Sequence, residues 1–315
     1  MLRLAGLLLL LFSAPLLAQT IAFISDLNGR YGSTSYDGRV TDAIDTIVKL
    51  QPGLVICGGD MVAGQKQPKL DRDRLEQMWR GFNQTVADPL RQAGIPLAVT
   101  AGNHDGSAFP EFALERQQFE LQWRGRVPEI DILPGSEWPR RYAARISTVL
   151  LVAFDGTLPG RLTDSERLFV EKMLQQYGSS AMATIVLSHL PMWPLTRGRE
   201  HEIIDDPDLL ALLHRSGVDV YASGHHHAFF AGTDSAGMVH LGIGALGGNA
   251  RAFSGKGSRQ PFSFALLTLE DGGVSVTSRA APGFQQQVTP SQMPTTITGP
   301  LGTLRRVDGP VPLRP

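Results

Sequence analysis

A chain of 315 residues that is 42% hydrophobic and 19% charged can bury a large core, which excludes a globally disordered protein. Lysine and arginine total 29 against 30 aspartates and glutamates, a formal charge of -1. No bulk attraction therefore draws the chain to nucleic acid or an acidic membrane, and an anionic ligand must be held by a local site.

The first 18 residues, MLRLAGLLLLLFSAPLLA, join a positive start at Arg3 to an apolar stretch ending near the small residue Ala18. This is the pattern of a cleavable secretory signal, and it predicts a periplasmic or secreted protein. The apolar run is broken by Pro15 and falls short of the roughly 20 residues that cross a bilayer, so no stable membrane insertion is expected after its removal. Cys57, the single cysteine, excludes an internal disulfide even in an oxidising compartment. Within the apolar run GLVICGGD it reads as a packing residue.

Beyond residue 18, β-favouring runs alternate with helical patterns, the grammar of a mixed α/β layered domain. IAFISD, at 21–26, is followed by Val40, Ala43, Ile44, Ile47 and Val48 at helical spacing, then by GLVICGGD at 53–60. PLAVTAGNHD and TVLLVAFDG come next, and Thr163 with Glu166 carries a capping-box signature for a helix. After TIVLSHLP, Asp206-Pro207 opens a helix that Gly217 would stop. VDVYASGHHH, GMVHLGIGA and FSFALLTLEDGGVSVTS complete the series. A domain over 19–283 is expected, followed at 284–315 by a segment rich in Pro, Thr, Gln and Gly that reads as a surface tail.

Five strand ends carry polar residues of one chemical kind: Asp26, Asp60, Asn103-His104-Asp105, His189, and His225-His226-His227. In layered α/β proteins the carboxyl ends of strands converge on one edge, where ligands bind. A lone Asp after a strand is usually a helix cap, and a lone His is usually structural. Gathered at one edge, however, they would be a costly set of unpaired polar groups unless cations neutralised them. Oxygen and nitrogen ligands without thiolate suit Mn, Fe or Zn.

The order of these residues resembles the calcineurin-like metallophosphoesterases, whose motifs run D-x-H, G-D, G-N-H-[DE], a lone H, and G-H-x-H. Here they stand as Asp26-Leu27-Asn28, Gly59-Asp60, Gly102-Asn103-His104-Asp105, His189, and Gly224-His225-His226-His227. The resemblance implies a four-layer α/β/β/α sandwich with two mixed sheets and a site for two divalent or trivalent metal ions. Asp60 would bridge the ions. Asn103, His189 and His225 would complete one site, and Asp26 and His227 the other. His104 would face the substrate as proton donor, steadied by Asp105. The implied reaction is hydrolysis of a phosphate mono- or diester on a small phosphorylated substrate in one in-line step, with a hydroxide bridging the two ions as nucleophile. The alternative is a non-catalytic, metal-stabilised binding module that kept the fold, and His104 and Asp105 argue against it because a purely structural metal site has no use for them.

Asn28 departs from the pattern, which usually has His. Its carbonyl could serve a metal directly or through water, or the residue could cap the turn at Asn28-Gly29. Tyr31 is a remote substitute. If GHHH is extended, His225 and His227 point one way and His226 the other. Asp155 reads as a turn or supporting residue, and His201, His214 and His240 as solvated or structural histidines. Arg251, after a Gly-rich stretch, is a candidate phosphate contact.

Overall fold

The computed structural model describes residues 19–270 and 272–314, so the signal-like segment at 1–18 lies outside the described residues. In chain order the elements are β1 (Gln19–Ile24), α1 (Gly38–Leu50), β2 (Leu54–Cys57), α2 (Arg72–Phe82), α3 (Asp88–Gln92), β3 (Leu97–Val99), α4 (Asn103–Gly106), α5 (Ala113–Arg124), β4 (Asp131–Ile132), β5 (Tyr142–Ile146), β6 (Val149–Ala153) and α6 (Asp164–Tyr177). They continue as β7 (Ala183–Leu187), α7 (Pro207–Arg215), β8 (Val220–Ser223), β9 (Phe230–Thr233), β10 (Val239–Gly242), β11 (Ser263–Glu270), β12 (Gly273–Ala280), β13 (Thr296–Gly299), β14 (Gly302–Arg306) and β15 (Val311–Pro312).

Two mixed sheets result. The first has the order β15-β12-β11-β1-β2-β3, and the second β13-β14-β9-β10-β8-β7-β6-β5-β4. Alternation along β1 sets the layering. Ile21 and Phe23 enter the core between the sheets, while Ala22 and Ile24 join the core built with α1, α2, α3 and α5. On α1 the helically spaced Val40, Ala43, Ile44 and Ile47 are all buried, each larger side chain contributing about 1.5–3 kcal/mol. Phe169, Val170 and Met173 of α6 and Leu209, Leu212 and Leu213 of α7 cover the second sheet. This is the expected four-layer sandwich. Cys57 is buried and free, as its apolar surroundings predict.

Local signals hold with one modification. The Asp206 side chain accepts from the backbone amides of Asp208 and Leu209, and α7 ends before Gly217 at φ +67°. Thr163 accepts from the amide of Glu166, but Glu166 does not return the bond. Its carboxylate turns to Arg141 and to the amide of Asp155.

Residues 284–314 are not a separate tail but are paired into both sheets. β14 pairs with β9 of the second sheet, β15 pairs with β12 of the first, and Phe284, Val288, Met293, Ile297 and Leu304 are buried. Prolines and glycines space these apolar side chains irregularly, so the segment shows no periodicity although it buries them.

The sheet registers bring the site together. In the first sheet Ile24 pairs with Cys57 and Cys57 with Val99, which sets Asp26, Asp60 and Asn103 just beyond three aligned strand ends. In the second, Ala153 pairs with Leu187 and Leu187 with Ala222, which aligns the ends that lead to His189 and His225.

Candidate metal centre

The chain turns sharply where these strands end. Asp26, Asp60, His225 and His227 all have left-handed backbones, at φ 53°, 55°, 63° and 54°. Such conformations are uncommon for non-glycine residues and concentrate at functional sites. Two glycines permit the close approach of the turns. A Cβ on Gly102 would lie 2.1 Å from the Asp60 amide nitrogen, and one on Gly224 would lie 2.0 Å from Ser25 Oγ. Neither has positive φ, so close approach rather than backbone freedom requires glycine at both.

Two groups of buried ligand-type atoms follow, each within 4.8 Å of one another: Asp60, His189 and His225, and Asp26, Asp60 and His227. Asp60 belongs to both. Asn103 joins the first group, with Oδ1 3.0 Å from His189 Nε2, and His225 Nδ1 lies 3.2 Å from that same nitrogen. In the second, His227 Nε2 lies 3.0 Å from Asp26 Oδ1, yet that oxygen is buried and makes no hydrogen bond. An orphaned carboxylate oxygen facing an imidazole nitrogen, beside two further imidazole nitrogens and an amide oxygen that converge, is a donor set that fits cations.

Each imidazole is fixed from behind. His189 Nδ1 lies 2.7 Å from the Gly58 carbonyl and His227 Nδ1 2.7 Å from that of Asn249, so both rings donate there and turn Nε2 toward the groups. His225 is reversed: Nε2 meets Glu202 Oε2 at 2.7 Å, which frees Nδ1. The Asn103 amide nitrogen donates to Gln65 Oε1, which turns Oδ1 toward His189. Glu202 and Gln65 have no signal in the sequence, because neither sits in a motif and both reach the site from loops.

GHHH is not extended. His225 and His227 reach their groups through left-handed turns, and the His226 amide bonds to the Gly224 carbonyl at 2.7 Å. His226 points away from the groups because of these turns rather than strand alternation, and it is completely buried. The Leu195 amide donates to its Nδ1 at 3.1 Å, and its Nε2 meets the Glu202 carbonyl, pinning the 195–202 loop.

His104 lies in neither group. Its amide donates to Asp60 Oδ1 at 2.8 Å, and its Nδ1 meets the Gly64 carbonyl at 2.6 Å. Asp105 does not steady that ring. Its two oxygens accept the amides of Gly102, at 2.6 Å, and Met61, at 2.5 Å, because α4 turns them back onto the loops that carry Asn103 and Asp60. Asn28 is 7% exposed, and its side chain makes no hydrogen bond among the described residues, so it does not cap the turn. A Cβ on Gly248 would lie 2.7 Å from His227 Cε1 and 3.6 Å from Asn28 Oδ1, which sets the amide beside His227. Tyr31 is turned away, its hydroxyl donating to the Lys66 and Pro68 carbonyls.

Asp155 pairs with Arg116, which also holds the Gly106 carbonyl at 2.7 Å, so it braces α4 from the second sheet. His214 and His240 both donate to Asp234 Oδ2, at 2.8 and 3.0 Å, and His201 is exposed.

The electrostatics belong to a crowded cluster. Burial pushes the Asp60 carboxyl up, but His189 and His104 outweigh it and hold it well below the usual range. Burial works against a charged His189, yet Asp60 and then Asp26 raise it to about 9. His225, desolvated first and then repelled by His189, is pushed down to about 4 against the pull of Glu202. Burial and the charge of Asp60 raise Asp105 to about 7 against its two amide donors.

A family model described as calcineurin-like phosphoesterase matches residues 19–229. Purple acid phosphatase 18 of Arabidopsis thaliana is 27% identical over 201 residues, which cover 58% of this chain and 43% of that protein. The chain thus spans less than half the length of this relative. A purple acid phosphatase from yellow lupin (Lupinus luteus) seeds superimposes with a TM-score of 0.66 at 16% identity, over 86% of this chain and 52% of that one. A dimetal phosphatase from Danio rerio gives 0.56 at 15% identity, over 86% and 98%. At such identities these two structures establish the likeness of the fold.

Proposed function

Because the chain belongs to the calcineurin-like phosphoesterase family, we propose that it hydrolyses phosphate mono- or diesters of small molecules with two metal ions that share Asp60. The observation that carries this reading is the membership of Asp60 in both groups of converging ligand atoms. Asn103, His189 and His225 would hold one ion, and Asp26, His227 and Asn28 the other. Mn, Fe or Zn suits such donors. When bound, the two ions supply charge neutralisation for the phosphoryl group and lower the pKa of a water.

The chain's own residues do the rest. The carbonyls of Gly58 and Asn249 and the carboxylate of Glu202 each take one ring N–H, so every ligand histidine presents a lone pair to the centre. With Nδ1 engaged by Gly64, His104 has Nε2 free to hold a proton and give it to the departing alkoxide. The hydrogen bond that its backbone N–H donates to Asp60 Oδ1 holds His104 close to the ligands. The signal-like first 18 residues support work in the periplasm or outside the cell.

The test is hydrolysis of p-nitrophenyl phosphate and bis(p-nitrophenyl) phosphate by protein stripped of metal and then reloaded with Mn, Fe or Zn. Metal-dependent release of nitrophenol is expected from at least one substrate. A metal-loaded protein that cleaved neither would be the binding module instead.

A further inference from the structure

His227 leads outward to a strap of chain. Its Nδ1 rests on the Asn249 carbonyl, and two residues on is Arg251. The strap is tied down beyond that point: the Arg197 amide donates to the Ala252 carbonyl at 3.0 Å, Phe253 bridges to Thr196, and the Gln260 amide donates to the Arg251 carbonyl at 2.7 Å. Arg251 therefore stands on a braced backbone, two residues from the carbonyl that holds His227.

Two arginines share this neighbourhood, and they differ in commitment. Arg199 is paired with Glu202, which in turn holds His225. Arg251 is half-buried, and its side chain makes no hydrogen bond or ion pair among the described residues. Its Nε is fully enclosed and has no acceptor. Its two outer nitrogens are not enclosed and make no hydrogen bond either among the described residues, so the guanidinium keeps donors for an anion. Burial and then Arg199 lower its pKa, while Asp26, Glu202 and Asp60 oppose the shift, so its charge is felt by the centre itself.

Charge balance says which anion. Resting on the two-ion reading above, Asp26 and Asp60 are the negative ligands, while the asparagines and imidazoles are neutral. With Mn or Zn in both places the ions are divalent, and two positive charges remain. Loss of a proton from the attacking water offsets one, and the single charge of a phosphodiester offsets the other. A phosphomonoester dianion brings one negative charge more, in surroundings where an unbalanced charge is costly. We propose that Arg251 is the specificity-determining residue that balances this charge and selects dianionic phosphomonoesters over phosphodiesters.

The experiment compares parent, Arg251→Gln and Arg251→Lys, all metal-loaded, by calorimetric titration with inorganic phosphate at about pH 8, where its second proton is lost. A charge-assisted hydrogen bond is worth about 1.5–3 kcal/mol, so Arg251→Gln should bind phosphate ~10- to 100-fold more weakly, with Arg251→Lys in between and metal content unchanged. In parallel, kcat/KM should fall by a similar factor for p-nitrophenyl phosphate and by less than about 3-fold for bis(p-nitrophenyl) phosphate. Unchanged phosphate affinity, or equal losses on both esters, would overturn the assignment. Should the parent cleave neither ester, the catalytic reading fails, and phosphate affinity alone still decides the role of Arg251.

Discussion

The Glu202 carboxylate stands 2.7 Å from Nε2 of His225, across the ring from the nitrogen that faces His189. It fixes both the tautomer and the direction of a candidate ligand from outside every motif. Glu202→Ala should weaken metal binding about 10- to 100-fold, the usual cost of losing a partner behind a ligand histidine. Glu202→Gln, which can still accept the ring N–H, should lose less. Metal affinities by chelator competition check this, and equal affinities in parent and Glu202→Ala would remove Glu202 from the account.

His104 is assigned the proton and not the metal. His104→Ala should lower kcat by about 100- to 10,000-fold while bound metal stays at the parent level. Elemental analysis beside the rate measurement separates the roles, since joint loss of metal and activity would make His104 a ligand.

The pH dependence of metal binding follows from His189. Its pKa is raised from an ordinary 6.5 to about 9, with Asp60 overcoming burial. The stability it lends the metal-free protein is thus fully present below about 6.5 and lost as pH rises through about 9. Metal must displace that proton, so apparent affinity should climb with pH over this window, approaching tenfold per unit. Proton release on metal addition near neutral pH is the direct readout. A pH-independent affinity with no release contradicts the assignment.

The strand ends, the family and the side chains that gather at the site were legible because each depends on local pattern: an apolar run, a glycine, then a polar residue. Grouping was legible too, because strand register carries Asp26, Asp60 and Asn103 to one edge whatever lies between. What joins the centre from irregular chain was not. Gln65 and Glu202 act through single contacts from loops, and no periodicity marks such residues. The role expected for Asp105 failed for a related reason: the order N-H-D says nothing of where α4 turns the carboxylate, and it turns to backbone amides. The strands at 296–312 were hidden because turn residues interrupt their apolar positions.

Asn28 lies beside His227 with its amide uncommitted. A neutral amide oxygen is a poorer donor than imidazole, so the ion at Asp26, Asp60 and His227 should be the weaker bound. In a chelator titration one equivalent should leave well before the other, and Asn28→His should narrow the gap. Simultaneous release from the parent, unchanged in Asn28→His, would show that the amide is no weakness.

Asp60 is proposed to serve two ions at once, and hydrolysis to need both. Metal-free protein titrated with Mn, Fe or Zn, with bound metal and p-nitrophenyl phosphate turnover read at every step, tests it most directly. Activity should stay low through the first equivalent, rise with the second and level off at two. In Asp60→Ala neither ion should be retained, because the remaining Asp and His residues lose their shared ligand. Full activity at one equivalent, or an Asp60→Ala protein that keeps two ions, would contradict it.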